Sequence, residues 1–204
     1  MSRILQTQVA PLFPPAGPVR VMLLGEAPGP RGADQSGIPF WGDRAGILVY
    51  QALERAGLAL VPAEAYARWD GSVLRELGLV PELRGAALGN AFPFCPSRDL
   101  QSFRAPTDAE LRGPANLARL RQELEAAARR CPGTLRVITL GKRAQWIFQN
   151  LEGAPAFQLR GLPHPSAQGL LQAAPGKGKG LKMEDLRREW EARLAALLAN
   201  SPCE

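Results

Sequence analysis

The chain has 204 residues, of which 46% are hydrophobic, so it can bury one sizeable core and is not an intrinsically disordered protein. The formal net charge of +6 and the pI of about 9.8 favour a polyanionic partner. Three cysteines without a CxxC pair argue against a disulfide framework, and no apolar run reaches the length of a membrane span. We therefore expect a cytoplasmic protein with free thiols, no signal peptide and no obligate protein partner.

The first third of the chain contains one strand and one well-patterned helix. Val19 to Gly25 is short, apolar and ends on glycine, which is typical of a buried parallel strand. A glycine-rich loop covers residues 25–42. The spacing of apolar residues then predicts a helix from Arg44 to Ala56. Residues Pro62 to Leu77 show a weaker helical pattern.

The middle third begins with a second apolar strand, Ala86 to Phe92, followed by a proline-containing loop. Thr107 and Glu110 have the spacing of a capping box, in which each residue binds the backbone of the other. We expect the main helix of this region to run from Pro114 to about Arg130.

The last third repeats the alternation of strand and helix. Leu135 to Gly141 predicts a third strand, Lys142 to Leu151 a helix, and Phe157 to Leu162 a fourth, shorter strand. A loop rich in glycine, proline and alanine is expected from His164 to Gly180, before a final helix from Met183 to Ala199.

This alternation predicts an α/β protein: a three-layer α/β/α domain around a central four-stranded parallel sheet, formed by residues 1–204 as one domain. Ligands of such sheets bind beyond the carboxyl ends of the strands. The four predicted strands end close to Gly25, Asn90, Gly141 and His164, in that order.

Three motifs follow these strand ends. The first loop contains G-E-A-P-G at 25–29, G-I-P-F at 37–40 and R-A-G at 44–46. It matches neither a dinucleotide-binding fingerprint nor a P-loop. The second strand ends in G-N-A-F-P-F, and the fourth leads into L-P-H-P-S.

As a set, these motifs resemble the uracil-DNA glycosylase superfamily, over roughly residues 19–198. They are most similar to the branch whose first motif begins G-E-A-P-G, which includes the thermostable iron–sulfur uracil-DNA glycosylases. The resemblance implies an enzyme that flips uracil, or a related deaminated base, out of DNA and hydrolyses its N-glycosidic bond. The chain departs from these relatives in its cysteines, because Cys95, Cys131 and Cys203 cannot supply the four ligands of a cluster, and we expect no metal or cofactor.

The resemblance also implies roles for particular side chains. Phe40 would stack on the flipped base, Asn90 would pair with its O4 and N3–H, and Ala27 would line the base site. His164, the only histidine, would donate a hydrogen bond to O2 of the departing uracil anion. Without this context, Phe40 could be a core residue, Asn90 a turn residue and His164 a structural one.

The hydrolytic water is less well specified, because many members of the superfamily hold it with Asp or Asn where this chain has Ala27. The candidate carboxylates in the same loop are Glu26, Asp34 and Asp43. The sequence does not choose among them.

The segment after H-P-S corresponds to a loop that enters the minor groove in relatives. The candidate wedge residues are Gln168, Leu170 and Leu171. The candidate phosphate contacts are Ser166, Lys177 and Lys179. A plain basic surface loop is the alternative reading of this segment.

Two other functions stay open at this level. Ala27 is compatible with a weakly active or inactive DNA-damage-binding protein on the same fold. A protein that binds a nucleotide or a phosphorylated metabolite through the loop after Gly25 is the second alternative.

Overall fold

The computed structural model describes residues 3–199, and a four-stranded, entirely parallel sheet lies at its centre. Its strands are β1 (Val21–Gly25), β4 (Ala86–Asn90), β5 (Leu135–Leu140) and β6 (Phe157–Leu162), in the spatial order β4–β1–β5–β6. The strands β2 (Ala59–Leu60) and β3 (Glu82–Leu83) form a separate antiparallel pair.

Nine α-helices lie in the described part of the chain, together with a 3-10 turn at Pro175–Gly178. In chain order they are α1 (Ala33–Ser36), α2 (Arg44–Arg55), α3 (Ala63–Ala67), α4 (Gly71–Glu76), α5 (Asp108–Arg112), α6 (Pro114–Arg129), α7 (Lys142–Gln149), α8 (Ala167–Ala173) and α9 (Met183–Ala199).

Two hydrophobic cores lie on the two faces of the sheet. Alternate residues of β1 serve each face: Val21 and Leu23 pack on one side, Met22 and Leu24 on the other. The first core includes buried residues of α2, α4, α8 and α9, and the second those of α5, α6 and α7. This is the predicted three-layer α/β/α arrangement.

The predicted strands and long helices are confirmed to within two residues at each end. The capping box at Thr107 is also confirmed, with Glu110 N–H donating to Thr107 Oγ1 and Thr107 N–H donating to Glu110. No helix in the described residues is long and apolar enough to cross a membrane.

Three local predictions were wrong. The weak helix at Pro62–Leu77 is two short helices, because the Asp70 side chain accepts hydrogen bonds from the N–H groups of Ser72 and Val73 and starts a new helix. The loop from His164 to Gly180 contains α8, which Ser166 caps at its N-terminus. The first glycine-rich loop contains α1, and the pair β2–β3 was not predicted.

Candidate active site

The candidate site lies at the carboxyl edge of the sheet, beside β1. The chain passes from β1 to β4 on one side and then to β5 on the other, so the strand order reverses at β1. Such a reversal opens a crevice beyond the strand ends, where ligands of α/β proteins bind. Gly25 and Asn90 are register partners at this edge, although 65 positions separate them in the sequence (90 − 25).

Asn90 and Phe40 converge on Gly25. A Cβ atom at Gly25 would lie 2.8 Å from Oδ1 of Asn90 and 2.9 Å from Cε1 of Phe40. Gly25 does not have a positive φ, so its backbone conformation does not require glycine. Glycine is required because there is no room for a Cβ atom between Asn90 and Phe40. The phenyl ring of Phe40 and the amide of Asn90 thus lie close together at Gly25, and these are types of group that can stack on and pair with a base.

The backbone holds Phe40 in an uncommon conformation. Its φ is +63°, in the left-handed region that few non-glycine residues adopt. A Cβ atom at Gly46 would overlap the carbonyl oxygen of Phe40, so the glycine of R-A-G lets α2 approach this carbonyl. Tyr50, buried on α2, donates from its hydroxyl to the carbonyl of Pro39 at 2.9 Å. These contacts explain the glycine at position 46 of the R-A-G motif.

A buried polar network supports the backbone at Asn90. Arg119 of α6 donates to the carbonyl oxygens of Asn90 (3.1 Å) and Ala91 (3.0 Å) and is paired with Glu123. Asn116 also donates to Ala91, at 2.9 Å. The Asn90 side chain itself is 3% exposed, and its Nδ2 donor is buried without a hydrogen-bond partner in the described residues. A buried donor without a partner is costly, so this amide is a candidate for contact with a ligand acceptor or an ordered water.

His164 follows β6 and is held in a defined tautomer. Its Nδ1 accepts a hydrogen bond from the backbone N–H of Ser166 at 3.2 Å, so the proton of the neutral ring is on Nε2. Burial lowers the pKa of His164, which favours the neutral ring. The preceding residue, Pro163, accepts a hydrogen bond from the buried Trp190 indole at 2.8 Å. The histidine is therefore a fixed, neutral N–H donor.

A cleft of about 390 Å³ contains His164, Glu26 and Arg143 in its lining. Arg143 Nε lies 3.3 Å from Oε1 of Glu26, and Arg143 Nη2 lies 2.7 Å from Oδ1 of Asp108. Burial raises the pKa of Glu26, and the charge of Arg143 opposes that rise. Sequence reasoning missed Arg143 and Asp108, which belong to α7 and α5 and match no motif.

The other two candidate carboxylates already have backbone partners. Both oxygens of Asp34 accept from the N-terminal segment, from Leu5 N–H at 2.7 Å and Gln6 N–H at 3.0 Å. Asp43 accepts from Ala33 N–H at 3.2 Å and is enclosed by the backbone of residues 29–33, where a Cβ atom at Gly29 would overlap its carboxylate. Burial raises the pKa of Asp43 to about 6. Both residues fasten the first loop, and Glu26 is the one of the three that lines the cleft with His164.

The segment after His164 divides between core and surface. Leu170 is 4% exposed and belongs to the first core, so a wedge role for it would require α8 to move. Leu171 is half-buried against the same core, whereas Gln168 is exposed. Ser166 uses its hydroxyl oxygen to cap α8 and keeps its O–H as a donor.

Lys177 and Lys179 are exposed in a turn with several left-handed residues. Lys177 has a φ of +54°, and Gly176, Gly178 and Gly180 also have positive φ. The two lysines and Gln168 are therefore accessible to a large ligand at this edge.

Ala27 is half-buried in the first loop.

The described cysteines do not fit a shared metal cluster. Cys95 is buried in the loop after β4, at the carboxyl edge, whereas Cys131 follows α6 near the start of β5, at the opposite edge. Among residues 3–199, no group of three or more His, Cys, Asp or Glu side chains is arranged to hold a metal ion. The third cysteine, Cys203, lies outside the described residues.

The fold is an α/β/α arrangement, and the candidate site lies at the strand-order reversal beside β1. The family model of the uracil DNA glycosylase superfamily matches residues 12–191, and the chain belongs to that superfamily.

More specific similarity covers a shorter stretch. The chain is 39% identical over 72 residues to proteins named Type-5 uracil-DNA glycosylase from Mycobacterium leprae and Mycobacterium tuberculosis. This stretch is 35% of the present chain, and it spans 31% of the M. leprae protein and 26% of the M. tuberculosis protein.

Proposed function

We propose that this protein is a monofunctional DNA glycosylase that hydrolyses the N-glycosidic bond of uracil, or a related deaminated base, in DNA. The convergence of Phe40 and Asn90 on Gly25, with a free buried Nδ2 donor, carries the proposal. Superfamily membership, the relatives named Type-5 uracil-DNA glycosylase and the net charge of +6 support it.

In the proposed mechanism, the target base is rotated out of the helix and enters the crevice beside β1. Phe40 stacks on it, Asn90 donates from Nδ2 to O4 and accepts N3–H at Oδ1, and Ala27 lines the pocket. The Nε2–H of His164 donates to O2, where negative charge develops as the C1′–N1 bond breaks. A neutral histidine can fill this role, because it needs to donate a hydrogen bond and not to transfer a proton.

We assign the hydrolytic water to Glu26. Its carboxylate lines the cleft that His164 also lines, and its Oε1 is buried without a hydrogen-bond partner in the described residues. Asp34 and Asp43, by contrast, have their oxygens bound to backbone N–H groups. Gln168, Leu171, Ser166, Lys177 and Lys179 are the proposed DNA contacts.

We also propose a branch of the superfamily and a cellular compartment for this protein. The G-E-A-P-G motif at 25–29 supports a place in the branch that shares it, and the separation of Cys95 from Cys131 supports a protein without an iron–sulfur cluster. The two cysteines among residues 3–199, Cys95 and Cys131, are free thiols and support a cytoplasmic, reducing environment.

The decisive experiment uses an end-labelled oligonucleotide with one uracil, placed opposite guanine, opposite adenine or in a single strand, followed by alkali to cleave abasic sites. We expect excision by the wild-type protein and a rate about 10²–10³-fold lower for His164→Ala, since one donor to a developing oxyanion is lost. A thermal melt of the variant checks that it is folded.

The other outcomes separate the alternatives. An unchanged rate for His164→Ala would contradict the assigned role of this residue. Salt-sensitive DNA binding without any excision would favour the damage-binding protein that Ala27 allows. Binding of a nucleotide without DNA affinity would favour the phosphometabolite alternative.

A further inference from the structure

Arg143 joins three elements at the rim of the cleft. It lies in the first turn of α7, and its guanidinium contacts Glu26, which follows β1, and Asp108, in the first turn of α5. The 2.7 Å contact with Asp108 is a hydrogen bond, whereas the 3.3 Å contact with Glu26 is an ion pair that is not aligned for one.

Asp108 and Glu26, the two carboxylates that contact Arg143, differ in burial. The side chain of Asp108 is 74% exposed, and such a surface pair contributes little to stability. The side chain of Glu26 is 26% exposed and its Oε1 is buried, so the charge of Arg143 acts there with less screening. The Asp108 contact is therefore poorly explained as a contribution to the stability of the fold. Both contacts are explained if Asp108 orients the Arg143 guanidinium toward Glu26.

We propose that Arg143, itself oriented by Asp108, is a positioning residue that keeps Glu26 ionised and directed into the cleft, where Glu26 binds the attacking water. The inference rests on the proposed glycosylase function. In the step concerned, the water oxygen bonds to C1′ and the C1′–N1 bond breaks, so its electron pair leaves with the uracil anion. The water proton passes to Glu26, and His164 donates a hydrogen bond to O2.

The charges around Glu26 fix the sign of the expected pH effect. Arg143 and Lys142 face the cleft from α7, His164 faces it from the segment after β6, and Asp108 lies behind Arg143 on α5. Burial raises the pKa of Glu26 and Arg143 lowers it. Loss of Arg143 therefore raises this pKa further, and the ionised base is lost at a higher pH as the solution is acidified.

The test compares single-turnover excision rates at saturating enzyme, from pH 5 to 9, for the wild type, Arg143→Ala, Arg143→Lys, Glu26→Gln and the double variant Glu26→Gln/Arg143→Ala. We expect Arg143→Ala to be about 10-fold slower at pH 7, with its acid limb moved up by about one pH unit and restored in part by lysine. If Arg143 acts through Glu26, the double variant is no slower than Glu26→Gln alone.

Arg112→Ala is the matched control. Arg112 lies on α5, with its guanidinium 5.8 Å from the centroid of the Trp146 ring, so its removal deletes one nearby positive charge without touching Glu26. We expect its pH profile to match the wild type.

Two results would overturn the role of Arg143. Additive losses in the double variant would show that it acts independently of Glu26. An unchanged pH profile, together with weaker DNA binding of Arg143→Ala that depends less steeply on salt in a separate titration, would show that it binds a DNA phosphate. Absence of excision by the wild type would instead defeat the proposed function itself.

Discussion

The amide of Asn90 is the group whose chemistry sets base preference in the proposed pocket. Its acceptor, Oδ1, lies next to Gly25, and its donor, Nδ2, has no hydrogen-bond partner in the described residues. Uracil offers the complementary acceptor and donor at O4 and N3–H, whereas cytosine offers a donor at N4. Arg119 and Asn116 hold the backbone beside this amide through the carbonyl oxygens of Asn90 and Ala91.

We expect Asn90→Asp to excise uracil about 10²-fold more slowly and to gain relative activity on cytosine, because an ionised carboxylate accepts hydrogen bonds but does not donate them. Paired oligonucleotides with one uracil or one cytosine measure this ratio. Asn150→Asp, at the end of α7 and away from the pocket, is the control. An unaltered base preference in Asn90→Asp would contradict base reading by this residue.

At the scale of elements, β1, its loop and α2 form a unit in which two glycines allow close contacts around Phe40 and Asn90. Gly25 leaves room for Asn90 and Phe40, and Gly46 lets α2 approach the carbonyl of Phe40. Asp43 fastens the intervening loop through backbone N–H groups, at the cost of a carboxylate whose pKa burial raises to about 6. The unit thus holds Phe40 with a strained backbone at the candidate base site.

Gly25→Ala should reduce excision by about 10²-fold, since the new Cβ displaces both Asn90 and Phe40 from the base. Affinity for undamaged DNA should stay within about twofold, because the proposed phosphate contacts lie elsewhere. Gly133→Ala is the matched control, as a Cβ there meets nothing within 4 Å. Equal activity of the two variants would show that the space at Gly25 is not the base pocket.

Across the whole molecule, the net charge of +6 would supply a sequence-independent attraction to the proposed DNA substrate. Lys177 and Lys179 lie in the exposed turn that follows α8, the helix packed against His164. Arg129, at the end of α6, lies toward the opposite edge of the sheet, where β5 begins.

We expect Lys177→Ala and Lys179→Ala each to reduce the slope of log Kobs against log salt concentration by about 1, the effect of one lost phosphate contact. Fluorescence anisotropy with a labelled duplex between 50 and 300 mM salt, roughly the range in which such slopes are measured, gives the value. Arg129→Ala should leave the slope unchanged. Equal slopes for all three variants and the wild type would place the DNA on another surface.

Much of this architecture follows from local patterns. Apolar runs such as Val21–Gly25, helical spacing such as that of α9 and the Thr107 capping box act over a few residues, so the sequence displays them directly. The helix α8 was missed because its sequence, A-Q-G-L-L-Q-A, is short and contains a glycine, and its stability comes from packing Leu170 into the core.

The sequence by itself therefore determined the layer architecture, the edge of the sheet that carries the site and the identities of Phe40, Asn90 and His164 as its residues to test. Only the tertiary structure decided which carboxylate shares the cleft with His164. Glu26, Asp34 and Asp43 all supply a carboxylate in the same loop, and they differ in the groups that they contact in the fold. It also revealed Arg143, Asp108 and Arg119, whose roles depend on contacts between residues far apart in the chain. Periodicity encodes the face on which a side chain lies, but not which distant group it meets.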